Sequence, residues 1–174
     1  MTPELVWFKR DLRTHDNETL AAAAARGPVL PLYIVEPDLW RQPDSSARQW
    51  AFYRECLDAL RDALAALGQP LVIRRGDAAC VLRDLVRSHA VTGVWSHQET
   101  GNAWSFARDR AVAAMLREEG VPWHQPRQHA VVRGRCDRDA WSKQWERLML
   151  QARFEPPALR PLRDIDPGNL PSIP

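Results

Sequence analysis

Lysine is almost missing from this 174-residue chain: Lys9 and Lys143 are the only two, and arginine carries the remaining basic charge. The formal net charge is only +2. That supplies no concentrated basic face, so charge alone gives no argument for a nucleic-acid footprint. Cysteine is scarce as well: Cys56, Cys80 and Cys136 lie far apart, form no C-x-x-C and, being odd in number, cannot all pair. A disulfide scaffold is excluded, and a reducing, cytoplasmic setting is expected. No apolar run approaches the roughly 18 residues a membrane helix needs. The chain reads straight into a strand-like segment, without the pattern of a signal peptide. There is no G-x-G-x-x-G and no G-K-[ST], so neither a dinucleotide fingerprint nor a phosphate loop is signalled. His97, His124 and His129 have no helical ligand spacing and no cysteine neighbours, and no metal centre is expected. A nucleophile elbow is also lacking.

What is present is the material for one core. Hydrophobic residues make up 45% of the chain and tryptophan occurs eight times. Most of those indoles are expected in the core or at an interface. Short apolar runs read as buried strands: Leu5–Phe8, Val29–Val35 (with Pro31, tolerable near an edge), Leu71–Ile73, Gly93–Ser96 and Val121–His124. Helical patterns fall between and after them. Asp16 or Asn17 caps the first, which ends at Gly27-Pro28. Ser46 and Gln49 form a capping box ahead of Trp50, Tyr53, Leu57, Leu60, Leu64 and Leu67. Asp77 opens a third helix. Asn102 caps a fourth, whose inner face is expected to hold Trp104, Ala107, Ala111, Met115 and Leu116. A last helix from about Asp137 carries Trp141 and Trp145. Strand and helix alternate five times, which favours parallel strands joined by right-handed crossovers. The fold class is therefore α/β: a doubly wound, mainly parallel five-stranded sheet with helices on both faces, Rossmann-like. Residues 1–150 make this domain. Residues 151–174 hold Pro156, Pro157, Pro161, Pro167, Pro171 and Pro174 without any hydrophobic period. They are expected to be a semi-rigid extended linker outside the core, cut from a longer protein.

Ligands of open α/β sheets bind beyond the carboxyl ends of the strands. The loop after the first strand, residues 9–17, alternates in charge; it reads either as a salt-bridged surface loop or as an anion- or ring-binding rim with Arg10 as donor. The loop after the fourth, residues 96–102, reads as a turn and helix cap or as a ligand-bonding edge. Late basic residues (Arg127, Arg133, Arg135, Arg138, Lys143, Arg147, Arg153) form a solvated face or a contact surface for a neighbouring domain.

Val6-Trp7-Phe8-Lys9-Arg10-Asp11-Leu12-Arg13 with His15-Asp16-Asn17 resembles the opening signature of the photolyase/cryptochrome family. The likeness continues in order through Leu32–Pro37, Ser46–Leu60, Ile73–Asp77, Gln98–Asn102, Arg108-Asp109 and Val131–Arg133 with Trp141 and Trp145. The resemblance implies an N-terminal antenna-type domain followed by a larger helical domain that binds FAD and, in photolyases, a pyrimidine dimer in DNA. This chain would then be the light-harvesting-cofactor domain of a blue-light flavoprotein, a deoxyribodipyrimidine photolyase, without catalytic residues of its own. Its partners would be the helical FAD-binding domain of the same chain and, through the whole protein only, DNA; no membrane partner is expected. A cryptochrome photoreceptor without repair activity is the alternative. A stand-alone nucleotide-binding α/β protein is a third reading, and it would need a phosphate cradle.

Folate-binding members of the family carry an acidic residue a few positions before the Arg-Asp pair. Trp104-Ser105-Phe106 holds none, which points to a deazaflavin, a flavin or an empty site. A site for a flat ring needs apolar walls and a few fixed polar groups. Phe8, Tyr33 and Ile34 are the expected walls, and Arg10, Asp11, Arg48, Glu99 and Asn102 the expected polar groups. A pocket is expected between the loops after strands one and four.

Overall fold

A computed structural model describes residues 2–129, 131 and 137–174 of the chain. Cys136, Val132, Arg133 and Arg135 lie outside the described residues, as does the side chain of Arg138. The elements run β1 (Glu4–Phe8), α1 (Glu18–Arg26), β2 (Val29–Val35), α2 (Pro37–Trp40), α3 (Ala47–Ala66), β3 (Val72–Arg75), α4 (Ala78–His89), β4 (Gly93–Trp95), α5 (Ala103–Glu118), β5 (Trp123–His124) and α6 (Arg138–Met149). All strands are parallel, in the order β3-β2-β1-β4-β5. The chain builds outward from β1 to β3, then returns to β1's other side. The switch point lies between β1 and β4, where the loops after both strands diverge and leave a crevice.

Alternation along the strands fills two cores. Leu5, Trp7, Leu30, Leu32 and Ile34 meet α4 and α5 through Leu82, Leu85, Val112 and Leu116. Val6, Phe8, Val29, Tyr33 and Val35 meet α1 and α3 through Leu20, Trp50, Leu57 and Leu64. Both faces are covered, which is why β1 and β2 read as unbroken apolar runs. Pro31 sits in an internal strand, not an edge strand. The ladder with β3 begins only at Leu32, so beside Pro31 the sheet still has a local edge.

Side chains start the helices. Asn17, Asp77 and Asn102 each accept the backbone N–H three residues on, at 3.0 Å. Ser46 accepts from the Gln49 N–H at 3.2 Å, and its hydroxyl donates to the Gln49 side chain in place of the reciprocal bond of a full box. Each cap contributes about 1 kcal/mol.

Two expectations need correction. The buried face of α5 is Ser105, Arg108, Asp109, Val112, Met115 and Leu116, while Ala107 and Ala111 are exposed. Apolar periodicity missed that face because half of its upper part is charged. The proline-rich tail is extended but contributes to the core. Leu159 is buried among α3 and β3 residues. Hydrogen bonds hold the tail across the domain, among them Leu159 N–H to the Leu67 carbonyl (2.7 Å), Leu162 N–H to Gln69 Oε1 (2.6 Å), Ile73 N–H to the Pro167 carbonyl (2.7 Å), Arg74 Nη2 to the Asp166 carbonyl (2.9 Å) and Trp50 Nε1–H to the Ser172 carbonyl (3.0 Å). Gly68 permits this docking. Its φ is +113°, and a Cβ there would stand 2.5 Å from the Leu159 carbonyl oxygen.

Candidate ligand pocket at the switch point

β1, β2 and β4 end at one level, and the residues just past their ends converge. Lys9 and Arg10 follow β1, Glu36 follows β2, and Glu99 lies in the loop after β4. Arg108 and Asp109 reach the same place from the second turn of α5. Glu99 is the hub: it accepts from Arg10 Nε at 2.9 Å and from Arg108 Nη2 at 2.5 Å, and lies 4.0 Å from Lys9 Nζ. Arg108 also donates to Glu36 at 2.9 Å and to Asp109 at 2.9 Å, and Lys9 Nζ is 3.7 Å from Asp109. The Arg108 guanidinium centre sits 4.9 Å from the Trp7 ring centroid, and Lys9 Nζ 5.2 Å from it. Arg10, Lys9 and Arg108 thus face Glu36, Glu99 and Asp109, three basic side chains against three acidic ones. All but Arg10 are buried. Removing one partner of such a buried set typically costs about 3–5 kcal/mol, because the other charge is stranded.

Burial sets the protonation of this cluster. It pushes Glu36 up to about 7, a rise only partly offset by Arg108. Burial lowers Lys9, against the pull of Asp109 and Glu99. Burial likewise raises Tyr33, whose hydroxyl therefore stays neutral and keeps its proton.

Above the cluster opens a cavity of about 240 Å³. Phe8, Tyr33 and Ile34 line it as expected, and so do Arg10 and Glu99. α2 and α3 add Leu39, Trp40, Gln49 and Tyr53, and the segment between them adds Asp44 and Ser45. Trp40 makes edge-on contacts with Trp50 (4.9 Å) and Tyr53 (5.2 Å), which fixes the wall. Two donors at the cavity have no hydrogen-bond partner although fully buried: Lys9 Nζ and Trp40 Nε1. Such orphans are expensive in a dry interior and rare in native proteins.

Three of the expected polar groups fall elsewhere. Arg48 is exposed and does not line the cavity. One helical step is 100°, so its neighbour Gln49, and Tyr53 one turn on, face inward instead. Asp11 turns away: it accepts the Lys9 N–H at 3.2 Å, and its other oxygen lies 2.6 Å from His97 Nδ1. Asn102 caps α5 and acts on the rim only indirectly, holding Asp44 at 3.0 Å. Sequence reasoning missed Lys9, Glu36, Arg108, Trp40 and Tyr53. The Gln49/Tyr53 spacing of four was the one local signal available. Among the described residues no group of acids, histidines and cysteines is arranged to hold a metal ion. No helix there is long and apolar enough to cross a membrane.

The family model described as DNA photolyase matches residues 4–138. The chain belongs to the DNA photolyase family. Among relatives of this photolyase-family chain, the deoxyribodipyrimidine photo-lyase of Agrobacterium fabrum is 39% identical over 123 residues, covering 68% of this chain and 24% of the relative. The deoxyribodipyrimidine photo-lyase of Escherichia coli is 46% identical over 124 residues, covering 67% and 26%. The crystal structure of a bacterial class III photolyase from Agrobacterium tumefaciens superposes with a TM-score of 0.77 at 27% identity, covering 99% of this chain and 37% of the other. This photolyase-family chain spans about a quarter of the length of those curated relatives. The fold and family expectations are borne out.

Proposed function

We propose that this chain is the antenna-pigment domain of a deoxyribodipyrimidine photolyase, and that the cavity above Glu99 holds the pigment. The observation that carries the reading is the pair of buried donors without a hydrogen-bond partner, Lys9 Nζ and Trp40 Nε1, at an aromatic-walled cavity on the switch point. Ligand pockets are mostly apolar with few placed polar groups, which is this composition. The residues fit a flat heteroaromatic ring: Phe8, Trp40 and Tyr53 would bound its faces and edge, while Lys9, Arg10 and Trp40 would donate to its carbonyl or anionic oxygens. A bound pigment supplies light absorption and passes excitation to FAD held by a helical partner domain. The chain's own residues do the physical work: they orient the ring, exclude water and present positive donors to its polar edge. Trp104-Ser105-Phe106, without an acid, favours a deazaflavin or flavin over a folate. In the whole protein, reduced FAD would repair pyrimidine dimers in DNA, a step for which this domain holds no catalytic residue.

The test is a titration of the chain with 8-hydroxy-5-deazariboflavin, with FMN and with methenyltetrahydrofolate, read by quenching of tryptophan fluorescence. Saturable binding of a deazaflavin or FMN, weakened in Trp40→Ala and Lys9→Met, is expected. Binding of folate alone, or saturation unchanged in both variants, would overturn the reading.

A further inference from the structure

The pigment cavity has one wall that its own element cannot fix. Trp40 ends α2, a helix of four residues with none of them buried and no side-chain cap. The indole is half-buried, and its Nε1–H has no hydrogen-bond partner. Behind it lies a second cleft, of about 470 Å³, lined by Ala47, Trp50, Ala51, Arg54 and the tail residues 172–174. Trp40 and Ser45 border both spaces, so the indole is a partition with room on either side. Two ring contacts fix its position: Tyr53 at 5.2 Å, on the cavity side, and Trp50 at 4.9 Å, on the cleft side.

Trp50 in turn depends on the tail. It is 4% exposed on the buried face of α3, and its Nε1–H donates to the Ser172 carbonyl at 3.0 Å, across 122 residues of sequence. A buried indole N–H left without an acceptor is costly, so Trp50 keeps this orientation while the tail is docked. Leu170 packs on the same core as Trp50, and Arg75 Nη2 reaches the Pro174 carbonyl at 3.4 Å. A connected series therefore runs from the tail through Trp50 and Trp40 to the cavity.

We propose that Trp50 is a positioning residue for the pigment site, held in place by the tail, so that docking of residues 170–174 and binding of pigment favour one another. The inference rests on the reading that the cavity above Glu99 holds the pigment. With the tail docked, Trp50 backs the Trp40 indole and keeps it against the ligand. With the tail released, water enters the rear cleft, Trp50 loses its acceptor, and the Trp40 indole has space to swing away. The coupling is reciprocal: pigment should hold the tail down by the same factor by which the tail tightens pigment.

The experiment reads pigment affinity from the fluorescence anisotropy of FMN and of 8-hydroxy-5-deazariboflavin, which does not depend on tryptophan emission. Deleting residues 172–174, which removes no buried side chain, should weaken the pigment that binds about three- to tenfold, the worth of one hydrogen bond. Trp50→Phe, which keeps a ring and loses the donor, should do the same. The two changes together should cost no more than either one, because they break the same bond. Leu85→Ala, which loosens the core on the other face of the sheet, should leave affinity unchanged, and so separates positioning from a general loss of stability. Unchanged affinity in the deletion or in Trp50→Phe, or losses that add when the two are combined, would overturn the inference while leaving the pigment reading in place. No binding by the native chain would overturn that reading and the inference with it.

Discussion

Replacing Glu36 by glutamine should change how stability depends on pH, and the structure fixes both the sign and the size. Glutamine keeps a carbonyl oxygen for the Arg108 bond, 2.9 Å in the native chain, and removes only the titration. The folded-state pKa of Glu36 is about 7, against an ordinary 4.5. A carboxyl raised on folding binds more protons in the native state between those values. Its contribution to stability is therefore largest at low pH and is lost as pH rises toward and through 7. Linkage with these two pKa values gives a loss of about 2.5 kcal/mol between pH 5 and pH 8. For a chain of this length that is about 5–10 °C in melting temperature. Thermal or urea unfolding at pH 5, 6, 7 and 8 would measure it in both proteins. The difference between them isolates Glu36, since Asp11 and Lys9 titrate alike in each. Glu36→Gln should gain on the native chain by roughly that amount from pH 5 to pH 8. A constant difference across the range would mean that Arg108 holds Glu36 ionised throughout, and the account of the cluster would fail.

Three further outcomes follow from the packing. Leu159→Ala should cost about 2–5 kcal/mol and should expose residues 160–174 to limited proteolysis, measured together in one denaturation and digestion series; unchanged protease resistance would show that the tail does not depend on its anchor. Trp141, Trp145 and Met149 are exposed at a spacing of four along α6, so the chain should self-associate as concentration rises; sedimentation that stays monomeric would refute it, and Trp145→Glu should abolish the effect. With a net charge of +2, duplex DNA at about 150 mM salt should bind no tighter than roughly 10⁻⁵ M; submicromolar binding in a titration would contradict the reading.

The strands were legible because each is a short apolar run closed by glycine, proline or a capping residue, and a sheet covered on both faces needs nothing more. The helix starts were legible for the same local reason: Asn17, Ser46, Asp77 and Asn102 satisfy the free N–H groups of their own first turns. α2 was not, since four residues starting at Pro37 show no period. The site was half legible. The rule that ligands gather at strand ends finds Phe8, Arg10, Tyr33, Ile34 and Glu99. It cannot find Arg108, because an arginine inside a helix reads as solvent-facing unless the fold has already brought Glu36, 72 residues away, and Glu99 against it. Arg48 failed by one helical step, a displacement that local pattern does not resolve. The tail misled because prolines conceal burial: Leu159, Leu162, Ile165 and Leu170 pack on the two cores without any regular spacing.

That tail also answers a problem of sheet chemistry. β3 is an outer strand of the sheet, and an outer strand offers unpaired amides to any passing chain. Here the outward N–H of Ile73 is taken by the carbonyl of Pro167. A proline can accept that bond but has no N–H to return, so the pairing stops after one rung. The opposite outer strand, β5, is only two residues long and offers little to copy. The sheet is thus finished at both margins, one by brevity and the other by a covering that cannot itself be extended, and growth of the sheet from one molecule into the next is blocked.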